Sequence, residues 1–133
     1  MSKLAFILAA IAALAMAFAH AFLGGPLVVE AIRNAPSLPE VVVWLSYFTW
    51  HDGTVALLVC SAAFAFVAMR PKEIVLAVFA TAMMAGFGAL GLATAIMGSD
   101  SLWQTPAPFA FGIIGGLGLF GIWRRRKPVM PSV

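Results

Sequence analysis

Four apolar runs, each long enough to cross a bilayer and each bounded by charge, proline or glycine, constrain this chain more than any other feature of it. They cover residues 4–23, 41–69, 74–97 and 107–123. A helix of about 20 apolar residues spans the hydrocarbon core, and only a segment whose backbone hydrogen bonds close internally can do so. With 63% hydrophobic and 10% charged residues, the chain has too little polar surface to cover such runs in water. The expected fold is all-α: one transmembrane domain over residues 1–133, a four-helix bundle running up, down, up, down.

Charge gives the expected orientation. With both termini cytoplasmic, Lys3, Arg70, Lys72, Arg124, Arg125, Arg126 and Lys127 fall inside and only Arg33 outside, a strong positive-inside asymmetry. The basic pI then reflects topology, and no nucleic-acid partner is implied. The segments 24–40 and 98–106 become outer loops, the first rich in proline and glycine with a short surface helix over its middle part. Residues 124–133 form a basic tail in which Trp123, Arg124, Arg125, Arg126 and Lys127 meet lipid headgroups. Ala19-His20-Ala21 after a short basic start also fits a secretory cleavage site, but the run is long for a signal core and reads as a first transmembrane helix. Cys60 lies alone in an apolar run, which leaves no intrachain disulfide.

Small residues indicate how the helices pack. Ala9 and Ala13 belong to a four-residue alanine repeat in the first run, and Gly112-xxx-Gly116 in the fourth faces a small-residue series, Ala82-xxx-Gly86 with Gly88 and Gly91, in the third. Such spacings let helix backbones approach closely in lipid, first within the bundle and alternatively at a dimer face.

Chemistry-bearing residues gather at the head of the second run, in Tyr47-Phe48-Thr49-Trp50-His51-Asp52-Gly53-Thr54. Tyr47, His51 and Thr54 share one helical stripe and are expected to look across to His20, with Asp52 turned elsewhere. Glu30 and Gln104 are candidate outer-face partners of this polar cluster. A ligand site here would hold copper or another transition metal, a haem between two imidazoles, or a quinone. The metal version would use His20 and His51 with Met16 and Met97, thioether and imidazole being ligands suited to Cu(I). There is no nucleophile triad, no paired catalytic carboxylates at motif spacing, no phosphate loop and no zinc-protease helix.

His20-Ala21-Phe22-Leu23-Gly24-Gly25-Pro26, Trp50-His51-Asp52-Gly53-Thr54 and Ser101-Leu102-Trp103 resemble motifs of a loose set of small bacterial four-helix inner-membrane proteins. The resemblance implies the four-helix membrane fold and a bacterial inner-membrane location, and no particular substrate, cofactor or reaction. The expected function is a non-enzymatic accessory or interaction subunit of a larger membrane complex, or a homo-oligomer. The alternatives are an outer-face ligand-binding module built on His20 and His51, and a membrane enzyme acting on a lipid or quinone.

Overall fold

The computed structural model describes residues 1–98 and 100–126, all helices and their connections, with no strand. Four helices are long and apolar enough to cross a membrane: α1 (Ser2–Arg33), α2 (Glu40–Met69), α3 (Ile74–Met97) and α4 (Ala107–Arg126). Each packs on its neighbours in chain order and α4 closes back on α1, so the helices form a ring. Connections of a few residues make every adjacent pair antiparallel. The outer surface is studded with Leu8, Ile11, Phe79, Ile96, Ile113 and Leu119, the surface of an integral membrane protein.

The first helix departs from the sequence expectation. The short helix expected over the middle of segment 24–40 is present, but it is continuous with the first helix as far as Arg33, and only residues 34–39 connect it to α2. Gly24, Gly25 and Pro26 fail to end the helix because the backbone widens into a π-helical turn over Ala19–Gly24, in which the Gly25 N–H bonds back to the His20 carbonyl. An α-helical register would drive the Pro26 ring into the carbonyl four residues back, and a wider turn relieves that clash. Near a bilayer every backbone group still paired is one less to desolvate unsatisfied. A second adjustment lies in the loop 98–106, where Asp100–Gln104 form a 3-10 helix.

The core is built by phenylalanines seated in glycine cups. Phe6 on α1 and Phe64 on α2 stack with ring centroids 6.4 Å apart, both fully buried. A methyl group at Gly121 would come within 2.6 Å of the Phe6 ring, and one at Gly118 within 2.9 Å of the Phe64 ring. Leu57, Cys60, Met84 and Ile114 fill the remaining space, and Cys60 is a plain core residue. Ala9 and Ala13 are fully buried along the inner face of α1. Ser61 ties the bundle at mid-height, its hydroxyl donating to the Ala10 carbonyl at 2.8 Å.

The α3–α4 seam uses Gly88 and Gly91 on α3, as the sequence suggests, with Gly115 and not Gly116 closely seated on α4. A Cβ at Gly88 would lie 3.0 Å from the Gly112 backbone nitrogen, and Gly115 is as tightly placed, 3.2 Å from the Ala85 nitrogen. Gly116 takes no part, and added carbons at Gly112 or Gly116 would meet nothing within 4 Å. The Gly112-xxx-Gly116 pair therefore points its open side outward, because the helical stripe that faces α3 runs through Gly115 and Gly118.

Gly118→Ala and Gly121→Ala are each expected to destabilise the fold by about 1–3 kcal/mol through overpacking, the first against the Thr81 hydroxyl and the Phe64 ring and the second against the Phe6 ring. Gly116→Ala is expected to leave it unchanged or to stabilise it slightly. Thermal unfolding in detergent micelles checks the ordering, and equal melting temperatures for all three variants would contradict the cup arrangement.

Candidate functional site

The polar cluster sits where the α1 π-turn meets the upper part of α2, and it is organised around Trp50. The indole stacks on the His20 imidazole with ring centroids 4.1 Å apart and planes 11° from parallel. Its Nε1–H donates to the His20 carbonyl at 3.2 Å, the same oxygen that accepts the π-turn bond from Gly25. His20 Nδ1 and Thr54 Oγ1 share a second hydrogen bond at 3.0 Å, whose direction follows the imidazole tautomer. Gly24 and Gly53 make the approach possible from the two sides. A Cβ at Gly24 would come within 2.7 Å of the indole, and one at Gly53 within 3.2 Å of the imidazole Cε1.

This geometry follows from helical phase. On α2 the residues Trp50, Gly53, Thr54, Leu57, Ser61 and Phe64 recur at three- and four-residue intervals and form the face turned to α1. Thr54 meets His20 as the stripe analysis expects. His51 and Tyr47 fall to one side of that face and pack on each other edge to face, with centroids 4.5 Å apart, and Trp44 lies edge-on to Tyr47 at 5.9 Å. The expectation that His51 and Tyr47 look directly across to His20 is thus replaced by Trp50, Gly53 and Thr54. The His20 and His51 rings are held by separate partners, His20 by Trp50 and Thr54 and His51 by Tyr47.

The remaining candidates lie apart from this contact. Asp52 is exposed, turned away from α1. Glu30 is exposed and pairs loosely with Arg33, one turn on, at 3.6 Å. Gln104 is exposed on the 3-10 helix. Met16 lines the crevice between α1 and α4 with Phe109 and Ile113, and Met97 is 85% exposed at the end of α3.

The fit to a metal or haem is poor. His20 has one nitrogen bonded to Thr54 and the other, Nε2, lies 3.4 Å from where a Gly53 Cβ would stand, so both edges face the α2 backbone. Met16 and Met97 lie apart from His20. Among the described residues no three His, Cys, Asp or Glu side chains gather at metal-binding distance.

At the opposite end of the bundle, Arg125 donates to the Pro71 carbonyl and so ties α4 to the α2–α3 turn. The Arg124 guanidinium lies 5.1 Å from the Phe120 ring and 5.2 Å from that of Trp123, in cation–π geometry. Arg126 closes α4, and Lys127 lies outside the described residues.

The site residues that sequence reasoning missed are Trp50, Gly24, Gly25 and Gly53. Trp50 reads as an interfacial aromatic when taken alone. The signal that identifies it is the pairing of two small-residue clusters, Gly24-Gly25 on one helix and Gly53 on the other, at matching height on antiparallel neighbours.

Replacing Trp50 with alanine removes the stack and one hydrogen bond together and is expected to cost about 2 kcal/mol, discounted from full core truncation because the indole is half-buried. Thr54→Val is expected to cost about 0.5–1 kcal/mol, and Asp52→Asn nothing measurable. Denaturation of the three variants in mixed micelles gives the ranking; a loss at Asp52 as large as that at Trp50 would show the contact to be misassigned.

Comparison with known proteins finds no matching family model, no matching curated protein and no matching solved structure.

Proposed function

We propose that this chain is a non-enzymatic subunit of the bacterial inner membrane that associates laterally, with a partner membrane protein or with its own copies, through the outward face of α3 and α4. The observation that carries this reading is the placement of glycines on that face. Gly86, Gly112 and Gly116 have open space where a side chain would stand. On α3, Ala82, Gly86, Ala89 and Ala93 follow one another at intervals of four, three and four, all exposed. Helical phase puts Gly112 and Gly116 on the same flank of the pair, because Ala80 and Met84 on α3 and Ile114 and Gly121 on α4 occupy the opposite, buried flank.

Glycine costs about 1 kcal/mol relative to alanine inside a helix. At Gly118 and Gly121 the buried rings explain it. On an outer face that met only acyl chains, leucine or isoleucine would serve better, as at Ile113 and Leu119. A flat strip of exposed backbone is what a second helix uses to approach closely in lipid. The reading further takes both termini to be cytoplasmic, from the charge asymmetry, and takes the motif resemblance for the membrane.

Gly112→Leu with Gly116→Leu is expected to weaken association at least tenfold, about 1.4 kcal/mol, while leaving the monomer folded. The assay is gentle-detergent purification with native mass spectrometry, alongside crosslinking of a Gly116→Cys variant in a Cys60→Ala background. A wild-type chain recovered only as a bare monomer, with no companion protein, would sink the proposal.

A second reading is favoured by one observation. A shallow groove of about 430 Å³ runs over the end of the bundle, lined by His20, Val42, Leu45, Ser46, Thr49, Trp50 and Gly53. The Thr49 hydroxyl is taken up by the Leu45 carbonyl, and the Ser46 hydroxyl beside a flat aromatic wall suits a neutral hydrogen-bonding amphiphile such as a quinone. Organic extraction of the purified protein followed by an absorption spectrum tests it; wild type without quinone, or content unchanged in Ser46→Ala with Thr49→Val, removes it.

A further inference from the structure

On the side of the bundle away from α3 and α4, a crevice of about 330 Å³ runs between α1 and α2. Its walls are Ile7, Ala10, Ile11 and Leu14 on α1 and Ala65, Ala68 and Met69 on α2. Small residues line its bed, and the one hydroxyl there, on Ser61, is taken up by the Ala10 carbonyl. The trough is therefore apolar along its length. From Lys3 to Leu14 it extends about 16 Å at the rise of an α-helix, about half the thickness of a hydrocarbon core and hence one leaflet.

Charge marks one end only. Lys3 lines the mouth, is exposed, and has no carboxylate partner among the described residues. Arg70 directly follows the wall residue Met69 and caps α2 at the same level, and Lys72 stands in the adjoining turn beside Glu73, all three exposed, so that with Lys3 this end is net positive. An apolar trough one leaflet long, with unpaired cations at its interfacial end, complements a molecule that has a single long chain below a negative head. Basic pockets between transmembrane helices recognise anionic headgroups in this way.

We infer that the α1–α2 crevice seats one acyl chain of an anionic phospholipid whose phosphate lies at Lys3. The site is independent of the α3–α4 association face and does not rest on it.

The test uses the full chain purified from detergent into nanodiscs of equimolar phosphatidylglycerol and phosphatidylcholine, with retained lipid read by native mass spectrometry. Wild type is expected to retain one phosphatidylglycerol in about fivefold preference to phosphatidylcholine. Lys3→Gln, a surface change that leaves the packing alone, is expected to bring the preference close to one. Ala65→Leu, which fills the trough, is expected to lower retention of both lipids. Equal retention of the two lipids by wild type overturns the inference. So does a preference that persists in Lys3→Gln, which would place the headgroup on the basic end of α4. A lipid-free homodimer abolished by Ala65→Leu would assign the crevice to a second copy and overturn it as well.

Discussion

The docking of Trp50 onto the widened turn of α1 is the contact from which the upper half of the molecule takes its shape. The π-turn lets the helix pass Pro26 without stopping, and it presents the His20 carbonyl to two donors at once, one from its own helix and one from Trp50. Without the widening, α1 would end near Gly24 and α2 would stand alone beyond that level. With it, the two helices run side by side past the point where α4 begins, and the loop between them shortens to residues 34–39. The imidazole serves here as a packing element, clamped between an indole and a threonine.

Glycine plays two opposed parts in the same bundle. Gly118 and Gly121 are absent side chains in the service of present ones, leaving room for Phe64 and Phe6. Gly88 and Gly91 bring α3 against α4 backbone to backbone. Gly86 and Gly116 serve neither purpose, and Gly112 offers its backbone to Gly88 while its own open side meets nothing. Composition treats these residues alike, and only the phase of each helix separates a glycine that receives a ring from one that faces outward. Sequence spacing of four selected Gly112 and Gly116 for the interior, whereas spacing of three, through Gly115, Gly118 and Gly121, carries the internal contact.

What was legible in the sequence is what hydropathy dictates. The limits of α2 and α3 emerge within a residue, since charge and proline flank each run. The burial of Ala9 and Ala13 and the meeting of His20 with Thr54 follow from periodicity on antiparallel neighbours. The continuation of α1 beyond Gly24 was not legible, because Gly-Gly-Pro ends a helix in water and its accommodation depends on a neighbouring tryptophan that local rules ignore. The choice between Trp50 and His51 also turned on phase. Adjacent residues on a helix diverge by about 100°, and nothing in the local pattern said which of the two would face α1.

The four helices differ in length, and this has a mechanical consequence. At the α-helical rise, the 20 residues of α4 and 24 of α3 measure about 30 and 36 Å, against about 45 Å for the 30 of α2. Only α4 matches an average hydrocarbon thickness outright. In a bilayer a helix longer than the hydrocarbon core must tilt or project, so the surplus of the longer helices falls at the end where α1 and α2 carry the Trp50–His20 contact. That contact then stands at the rim of the membrane, where the two projecting helices have only each other to pack against.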